Sequence, residues 1–255
     1  MRLSVHDSSD AMAKAAAETA ARILRDAIAQ KGHAAFIAAT GASQFDFLKN
    51  LVAAPGIAWE RTTMFHLDEY IGFSADHLAS FRRYLRERLT GRVPIGTVHF
   101  IEGDTPDLRQ ELDRLNRVLA ATPIDVAFVG IGENGHLAFN DPPADFEVET
   151  PYLIVNLDDA CRRQQFGEGW FTSLDDVPTR AISMSVQQIM KSGHIVCTVP
   201  ERRKAQAVKA CLEGEIGPMV PASILRRHPE CFLFLDREAA SQLASSTLAA
   251  WSRMS

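Results

Sequence analysis

The chain alternates between short apolar runs and segments whose apolar residues recur at helical spacing. Apolar runs bounded by Gly, Pro or polar residues predict buried strands, and a spacing of three or four residues predicts helices with one buried face. The strand candidates are 34–39, 62–67, 99–101, 124–129, 152–155, 181–184, 194–199 and 231–235. Strands that alternate with helices favour a parallel sheet covered on both faces.

Helices fill most of the intervals between these strands. An alanine-rich helix is predicted over 10–31, with Ser8 or Ser9 as its N-cap and Gly32 as its stop signal. Further helices are predicted in 45–51, 80–89, 106–120, 185–192, 201–212 and 237–252, whereas 158–176 is interpreted as an irregular polar region. The arginines of 80–89 are interpreted as a solvated face, formed by Arg82, Arg83, Arg86 and Arg88. No repeat or linker interrupts the pattern, so the sequence predicts a single domain, 1–255, with a Rossmann-like, doubly wound, mostly parallel α/β fold.

The composition argues against several classes of binding partner. A net charge of −5 gives no electrostatic reason to bind nucleic acid or an anionic membrane, because both attract positive surfaces. No stretch has the roughly 20 apolar residues of a membrane span, and the first residues show no signal-peptide core. The four cysteines show no metal-like spacing, and Cys197 and Cys231 lie in apolar runs, which predicts buried thiols in a reducing, cytoplasmic protein.

The densest cluster of candidate functional groups follows the strand at 124–129. The segment 130–141 reads GIGENGHLAFND and brings Asn134, His136, Asn140 and Asp141 within eight residues. A histidine beside a carboxylate is suited to proton transfer near neutral pH, although a glycine-rich loop with a surface histidine would explain the same letters. The segment also contains the dinucleotide fingerprint GxGxxG, but two prolines follow at 142–143, where the helix that binds the cofactor should continue.

Two other strand ends carry candidate groups. Asp68 and Glu69 follow the strand at 62–67 and are candidates for proton transfer or metal binding. The commoner alternative is that the two acids are solvated or cap a helix. The turn 40–43, TGAS, leads from a strand into a helix, an arrangement that offers backbone N–H groups to a phosphate. That signal is weak alone, because any strand-to-helix turn favours Gly and Ser.

Taken together, FHLDEY at 65–70 and GENGHLAFND at 132–141 resemble the glucosamine-6-phosphate deaminase/isomerase family, which belongs with the 6-phosphogluconolactonases on a Rossmann-like fold. The turn at 40–43 falls where that family has its phosphate loop, and SILRRHP at 223–229 resembles a further family segment. The lactonase relatives carry Asp-Glu-Arg where this chain has Asp-Glu-Tyr, and Gly-His-Thr where it has Gly-His-Leu. Both differences favour the deaminase branch.

The resemblance implies a reaction and a set of roles. An amino sugar phosphate would be isomerised and deaminated to fructose-6-phosphate and ammonia. His136 would open the ring, and Asp141 would orient that histidine, with Asn134 beside them. Asp68 would move the proton on carbon 2. The phosphate would be bound by Gly41, Ala42, Ser43 and Lys204. The only partner implied is this small-molecule substrate, and no metal or redox cofactor is required.

The sequence departs from the family at three positions. Asp141 stands where many members have Glu, and Asn134 stands where some have Asp. The family's second phosphate-binding arginine has no clear counterpart, because neither Arg162 nor Arg163 can be matched to it. A lactonase and a sugar-phosphate-sensing module therefore remain alternatives, and the sugar (glucosamine, galactosamine or another), any homo-oligomer and any allosteric control stay open.

Overall fold

Within residues 1–252, which the computed structural model describes, ten strands form two sheets. The strands are β1 (Arg2–His6), β2 (Ala34–Ala38), β3 (Thr62–His66), β4 (Asp68–Tyr70), β5 (Thr97–His99), β6 (Val126–Val129), β7 (Tyr152–Asn156), β8 (Arg180–Met184), β9 (His194–Val199) and β10 (Cys231–Asp236). The large sheet has the order β1-β10-β9-β6-β2-β3-β5 and is parallel throughout. The predicted doubly wound α/β fold is therefore confirmed.

The strand order reverses between β2 and β6. From β2 the chain builds outward through β3 to β5, whereas β6, β9 and β10 are added on the other side of β2. In open α/β sheets, ligands bind beyond the carboxyl ends of the strands at such a reversal, because neighbouring loops diverge there and leave a crevice. The loops that follow β2, β3, β6 and β9 consequently meet at one edge of the sheet.

A small antiparallel sheet, β4-β8-β7, joins the large sheet at Leu67. Leu67 donates its N–H to Ala38 of β2 at 3.1 Å and accepts the N–H of Met184 at 3.0 Å. The chain thus passes from β3 directly into β4. The strands predicted at 152–155 and 181–184 exist, but they pair with β4 rather than with the large sheet.

Eight α-helices accompany the sheets within the described residues. They are α1 (Ser9–Lys31), α2 (Phe45–Ala53), α3 (Phe81–Leu85), α4 (Leu108–Ala120), α5 (Asp159–Gly167), α6 (Val186–Met190), α7 (Ala205–Glu213) and α8 (Ser245–Ser252). Short 3₁₀ helices occupy Ala42–Gln44, Trp59–Arg61, Arg202–Lys204 and Pro221–Arg227, and a π-helical turn, Arg86–Thr90, follows α3. None of the described helices combines the length and the apolar character needed to cross a membrane.

The core has a layer on each face of the large sheet. Along β2, the side chains of Ala35 and Ile37 pack into one apolar cluster with residues of α4 and α7, whereas Phe36 packs into the other with residues of α1 and α2. Successive strand residues point to opposite faces, so a strand buried on both sides must be apolar at every position. This requirement explains the uninterrupted apolar run AAFIA.

Local signals in the sequence set the bounds of α1. The hydroxyl of Ser8 accepts the N–H of Ala11 at 3.2 Å, and Gly32 adopts the left-handed conformation (φ 80°) that closes the helix. A side-chain acceptor at the N-cap and a glycine at the C-terminus satisfy backbone groups that the helix leaves unpaired. The predicted helix over 10–31 is confirmed to within one residue.

The sequence-based interpretation was incomplete or wrong in several places, including the short strand β4, which was not predicted. The edge strand β1 was not predicted, and α5 lies inside the region interpreted as irregular. The last helix covers only Ser245–Ser252 rather than 237–252. Arg82 is 5% exposed and pairs with Glu69 and Asp104, so it does not belong to a solvated face.

Candidate active site

A cleft with an empty volume of about 570 Å³ lies beyond the carboxyl ends of β2, β3, β6 and β9. The predicted site residues that line it are Gly41, Ser43, Asp68, His136 and Lys204. The other predicted site residues, Ala42, Asn134 and Asp141, adjoin the cleft through the contacts described below.

His136 is held against the backbone of the loop that follows β6. The N–H of Gly132 donates to the His136 carbonyl at 3.0 Å, which folds 132–136 into a tight turn. A Cβ built on Gly132 would lie 2.2 Å from His136 Nε2, so the imidazole rests directly on this glycine. Only a residue without a side chain leaves room for the ring here.

Asp141 and Asn134 surround the other side of the imidazole. Asp141 Oδ1 lies 3.2 Å from His136 Nδ1, although the ring N–H does not point along a regular hydrogen-bond direction. Asn134 Nδ2 donates to the same oxygen at 3.2 Å, and Asn134 Oδ1 accepts the His136 backbone N–H at 3.0 Å. Asp141 therefore reaches the histidine directly, although its side chain is one methylene shorter than the Glu that many members of the resembling family carry.

Asp141 is also tied to the start of α5. The N–H of Asp158 donates to Asp141 Oδ2 at 3.2 Å. Burial raises the pKa of Asp141, but the contacts with His136, Asn134 and the Asp158 N–H outweigh burial and bring the pKa below its ordinary value. Asp141 is consequently ionised at neutral pH and lies against the His136 ring as a carboxylate.

Asp68 lies across the cleft from this group at the start of β4. The residue is 6% exposed, and no side chain within residues 1–252 donates a hydrogen bond to its carboxyl. Burial, and then the charge of Glu69, raise the pKa of Asp68 to about 8. A carboxyl group with a pKa near the working pH and no partner of its own can both take up and return a proton.

Glu69 supports the structure from the opposite side of β4. Its carboxylate accepts the N–H groups of Tyr70, Phe81 and Arg82 at 2.8–3.1 Å and the hydroxyl of Ser80 at 2.9 Å. These donors include the first turn of α3, where a carboxylate satisfies N–H groups that the helix leaves unpaired. Glu69 is fully buried and fixes α3 against β4. Because Asp68 begins β4, these contacts also hold Asp68 in position.

We expect Glu69→Gln to lower the free energy of unfolding by about 2–3 kcal/mol, because an amide replaces an acceptor oxygen among buried donors and removes one of the two ion pairs of Arg82. Urea unfolding measures this loss. Glu87→Gln removes an exposed carboxylate that pairs with Arg83, and its effect should stay within about 0.5 kcal/mol. An equally small effect of Glu69→Gln would contradict the structural role.

The far end of the cleft is suited to an anion. Gly41 has φ 95°, a conformation that favours glycine, and begins the 3₁₀ turn Ala42–Gln44. Gln44 is buried and donates to Thr198 Oγ1 at 2.9 Å, which ties this turn to β9. Lys204 follows β9, is 4% exposed, and has its pKa lowered to about 8 by burial and by the neighbouring charge of Arg203. A bound anion would offset both unfavourable effects.

Arg203 is a further cation on the wall of the cleft. It contacts Glu201 at 2.6 Å and Glu133 at 3.1 Å. Arg162, by contrast, donates to the carbonyls of Leu174 and Val177 and so stabilises the segment that follows α5. The sequence reasoning considered Arg162 and Arg163 for a second cation and overlooked Arg203, although it directly precedes Lys204.

The structure also brings three residues into the site that sequence reasoning did not select. Gln164 accepts the N–H of Glu133 at 2.8 Å, and Gln165 accepts the hydroxyl of Tyr70 at 2.6 Å, so α5 forms one wall of the cleft. Glu168, just beyond α5, lines the same wall. The sequence signal that was available is Asp158, whose side chain caps α5 by accepting the Cys161 N–H at 2.6 Å.

One group of possible metal ligands occurs in the described part of the chain, formed by His136, Asp141 and Cys161. A thiol binds a metal ion as the thiolate. Burial, followed by the charges of Asp141 and Asp158, raises the pKa of Cys161 far above the ordinary value, so its thiol is protonated. The three groups thus form a histidine–carboxylate pair that is suited to proton transfer, with a neutral thiol beside it.

Comparison with known proteins assigns the chain to a family. The family model described as glucosamine-6-phosphate isomerases/6-phosphogluconolactonase matches residues 7–233. A glucosamine-6-phosphate deaminase of Streptococcus pyogenes serotype M1 is 37% identical over 221 residues, which cover 87% of this chain and 92% of the relative. A glucosamine-6-phosphate deaminase of Bacillus cytotoxicus is 33% identical over 233 residues, covering 91% and 87% respectively.

Solved structures show the same fold. A monomeric glucosamine-6-phosphate deaminase superposes with a TM-score of 0.86 at 29% identity, over 95% of this chain and all of that one. A 6-phosphogluconolactonase from Shewanella baltica superposes with a TM-score of 0.76 at 19% identity, over 92% and 97%. The second likeness shows the fold alone.

Proposed function

We propose that this chain, which belongs to the family of glucosamine-6-phosphate isomerases and 6-phosphogluconolactonases, is a glucosamine-6-phosphate deaminase. The observation that carries the proposal is one cleft whose lining includes Asp68 and His136 together with Gly41, Ser43 and Lys204. A phosphorylated sugar whose phosphate is bound by Gly41, Ser43 and Lys204 would lie in the same cleft as both proton-transfer groups. The curated relatives named above carry this activity in their names.

His136 would open the sugar ring. Its imidazole accepts the proton of the anomeric hydroxyl and delivers a proton to the ring oxygen, so that the bond between carbon 1 and the ring oxygen breaks. The adjacent carboxylate of Asp141 keeps the imidazole in place and stabilises its charged form. Asn134 fixes the carboxylate and the histidine backbone together.

Asp68 would carry out the isomerisation. Its carboxylate removes the proton from carbon 2 and returns it to carbon 1. The amino nitrogen loses a proton and the oxygen on carbon 1 gains one, which completes the conversion of the amino aldose into a ketose imine. Water then adds to the imine carbon and ammonia leaves, so that one water is consumed and fructose-6-phosphate and ammonia form. The ammonium group of the substrate would lie beside Asp68 and favour its ionised form, because an opposite charge lowers the pKa of a carboxyl.

Each of these steps uses only groups of the chain and the substrate. We therefore propose a metal-independent reaction, a hydrolysis of a carbon–nitrogen bond coupled to an aldose–ketose isomerisation. The cleft takes residues from Ala39 to Lys204, and on that basis we propose that 1–255 acts as one domain. The last three residues of that range lie outside the described residues.

A feature beside Asp68 weighs against lactone hydrolysis. Tyr70 stands where the resembling lactonases carry arginine, and it is 1% exposed with its hydroxyl bound to Gln165. This position consequently adds no cation to the cleft.

The deciding experiment supplies glucosamine-6-phosphate to the purified protein and measures ammonia and fructose-6-phosphate in equal amounts. Galactosamine-6-phosphate tests the choice of sugar, and 6-phosphogluconolactone tests lactonase activity by release of acid. Acid from the lactone without ammonia from either amino sugar would overturn the proposal in favour of the lactonase. Tight binding of the amino sugar phosphate without turnover would overturn it in favour of a sensing module.

A further inference from the structure

A carboxylate of the protein already lies at the anion end of the cleft. Glu168 follows α5, and both of its carboxylate oxygens lie 3.9–4.0 Å from the position that a Cβ on Gly41 would occupy. The side chain lines the cleft together with Ser43 and Lys204. The negative group is thus held where the turn after β2 faces the lysine after β9.

The surroundings of Glu168 are those of a bound anion. Burial raises the pKa of Glu168 above its ordinary value, and the charges of Lys204 and Arg203, the side chain of Gln164 and the backbone N–H of Ala42 offset that rise only in part. A backbone N–H at a strand-to-helix turn, together with a buried lysine, is the set of groups that binds phosphate oxygens. Glu168 therefore lines the cleft among the groups that the preceding section gives to the substrate phosphate, which are Gly41, Ser43 and Lys204.

We propose that Glu168 occupies the phosphate subsite of the ligand-free enzyme and has to leave it before a phosphorylated substrate can bind, so that it sets the affinity and the specificity of that subsite. The inference rests on the proposed function. A phosphate group carries close to two negative charges and three acceptor oxygens, against one charge and two oxygens for the carboxylate, so it gains more from Lys204 and the turn amides. Both anions cannot share the subsite, because like charges at contact distance repel strongly in a partly buried site.

The same segment reaches the proton-transfer group. At the start of α5, the N–H of Asp158 holds Asp141, which in turn contacts His136. At the end of α5, Glu168 occupies the anion subsite. A substrate phosphate that displaces Glu168 would act on the helix that positions Asp141, whereas a sugar without a phosphate leaves Glu168 in place and finds the subsite filled.

The test is calorimetric titration of inorganic phosphate into the ligand-free protein. Glu168→Gln removes the charge and keeps the size of the side chain, and we expect it to bind phosphate about tenfold more tightly. Glu168→Ala also vacates the space and should bind at least as tightly as Glu168→Gln. Lys204→Met should weaken binding at least tenfold, which places the phosphate in this subsite rather than elsewhere on the surface.

A matched control separates occupation of the subsite from general charge. Glu201→Gln removes a carboxylate that contacts Arg203 on the rim, and we expect a change in phosphate affinity of threefold or less. Equal gains from Glu201→Gln and Glu168→Gln, or an unchanged or weaker affinity in both Glu168 variants, would overturn the inference. Kinetics give a second measure, because KM for glucosamine-6-phosphate should fall in Glu168→Gln.

The outcomes distinguish this inference from the proposed function. Tighter phosphate binding by Glu168→Gln, with no ammonia from any amino sugar phosphate in the unmodified protein, would overturn the reaction and leave the occupied subsite established. Ammonia release by the unmodified protein, with no gain in phosphate affinity in the variants, would overturn the inference alone.

Discussion

Asp68→Asn is expected to abolish ammonia release and, at the same time, to make the folded protein more stable. An amide cannot take the proton from carbon 2, so we expect kcat to fall by at least about 10³-fold, since a positioned base is worth about 10²–10⁴. The amide has nearly the shape of the protonated acid, which is the form that burial favours at this position.

The effect on stability depends on pH, and its sign follows from the raised pKa of Asp68. The unfolded chain has an ordinary aspartate, whereas in the folded protein the pKa is about 8. Between these two values the folded state binds more protons than the unfolded state, so the free energy of unfolding falls as the pH rises. Below about pH 4 this loss is absent, and above about pH 8 it is complete.

We therefore expect Asp68→Asn to exceed the unmodified protein in unfolding free energy by about 2 kcal/mol at pH 8, with a smaller difference at pH 5. Thermal unfolding at both pH values, beside an ammonia assay, measures the two effects. Asp26→Asn, an exposed aspartate of α1, should change neither the activity nor this difference. A variant that is inactive and less stable at pH 8 would contradict this expectation. It would show that Asp68 stabilises the fold, and not that Asp68 is a catalytic base whose burial destabilises the folded protein.

The fold was predictable wherever burial dictates the sequence. A strand covered on both faces favours apolar residues at every position, so β2 and β6 are recognisable in the sequence as uninterrupted apolar runs. The caps of α1 were equally legible, because Ser8 and Gly32 satisfy local backbone groups without help from the rest of the chain.

The parts that the sequence did not reveal depend on contacts between distant segments. Arg82 resembles its exposed neighbours in the sequence, and only the folded chain shows that Glu69 and Asp104 pair with it in a buried position. The short strand β4 exists because β8 pairs with it from more than 100 residues away. Polar helices are similarly ambiguous, and α5 was missed because few of its residues are buried.

In the candidate site, too, some residues were recognisable from the local sequence, whereas others depend on contacts between distant segments. The loop 130–141 and the acids after β3 were recognisable because the groups needed for proton transfer are close together in sequence. Glu168 was not recognisable, because its place depends on how α5 docks against the turn after β2 and on the positions of Lys204 and Arg203. Sequence spacing identifies groups that act together on one loop, whereas a site shared by four loops requires the structure.

Gly132→Ala is expected to lower kcat about 100-fold or more without removing any functional group. The added methyl carbon would lie 2.2–2.4 Å from three atoms of the His136 ring, a separation that atoms do not tolerate, so the imidazole has to move. Small displacements of a catalytic group are costly, because proton transfer requires hydrogen-bond distance, and about 1 Å of misplacement can cost about 100-fold. The steps that should fail are the ones that need His136, whereas the anion subsite stays as it is.

The measurement is the ammonia assay together with phosphate titration and thermal unfolding. Gly217→Ala is the matched control, because a Cβ there meets nothing within 4 Å, and its kcat should remain within about twofold of the unmodified value. Retained phosphate affinity in Gly132→Ala would show that the protein folds and that the loss is confined to the histidine end of the cleft. If Gly132→Ala kept full activity with native phosphate binding, His136 could not be the group that opens the ring, because the methyl group and a working imidazole cannot occupy the same space.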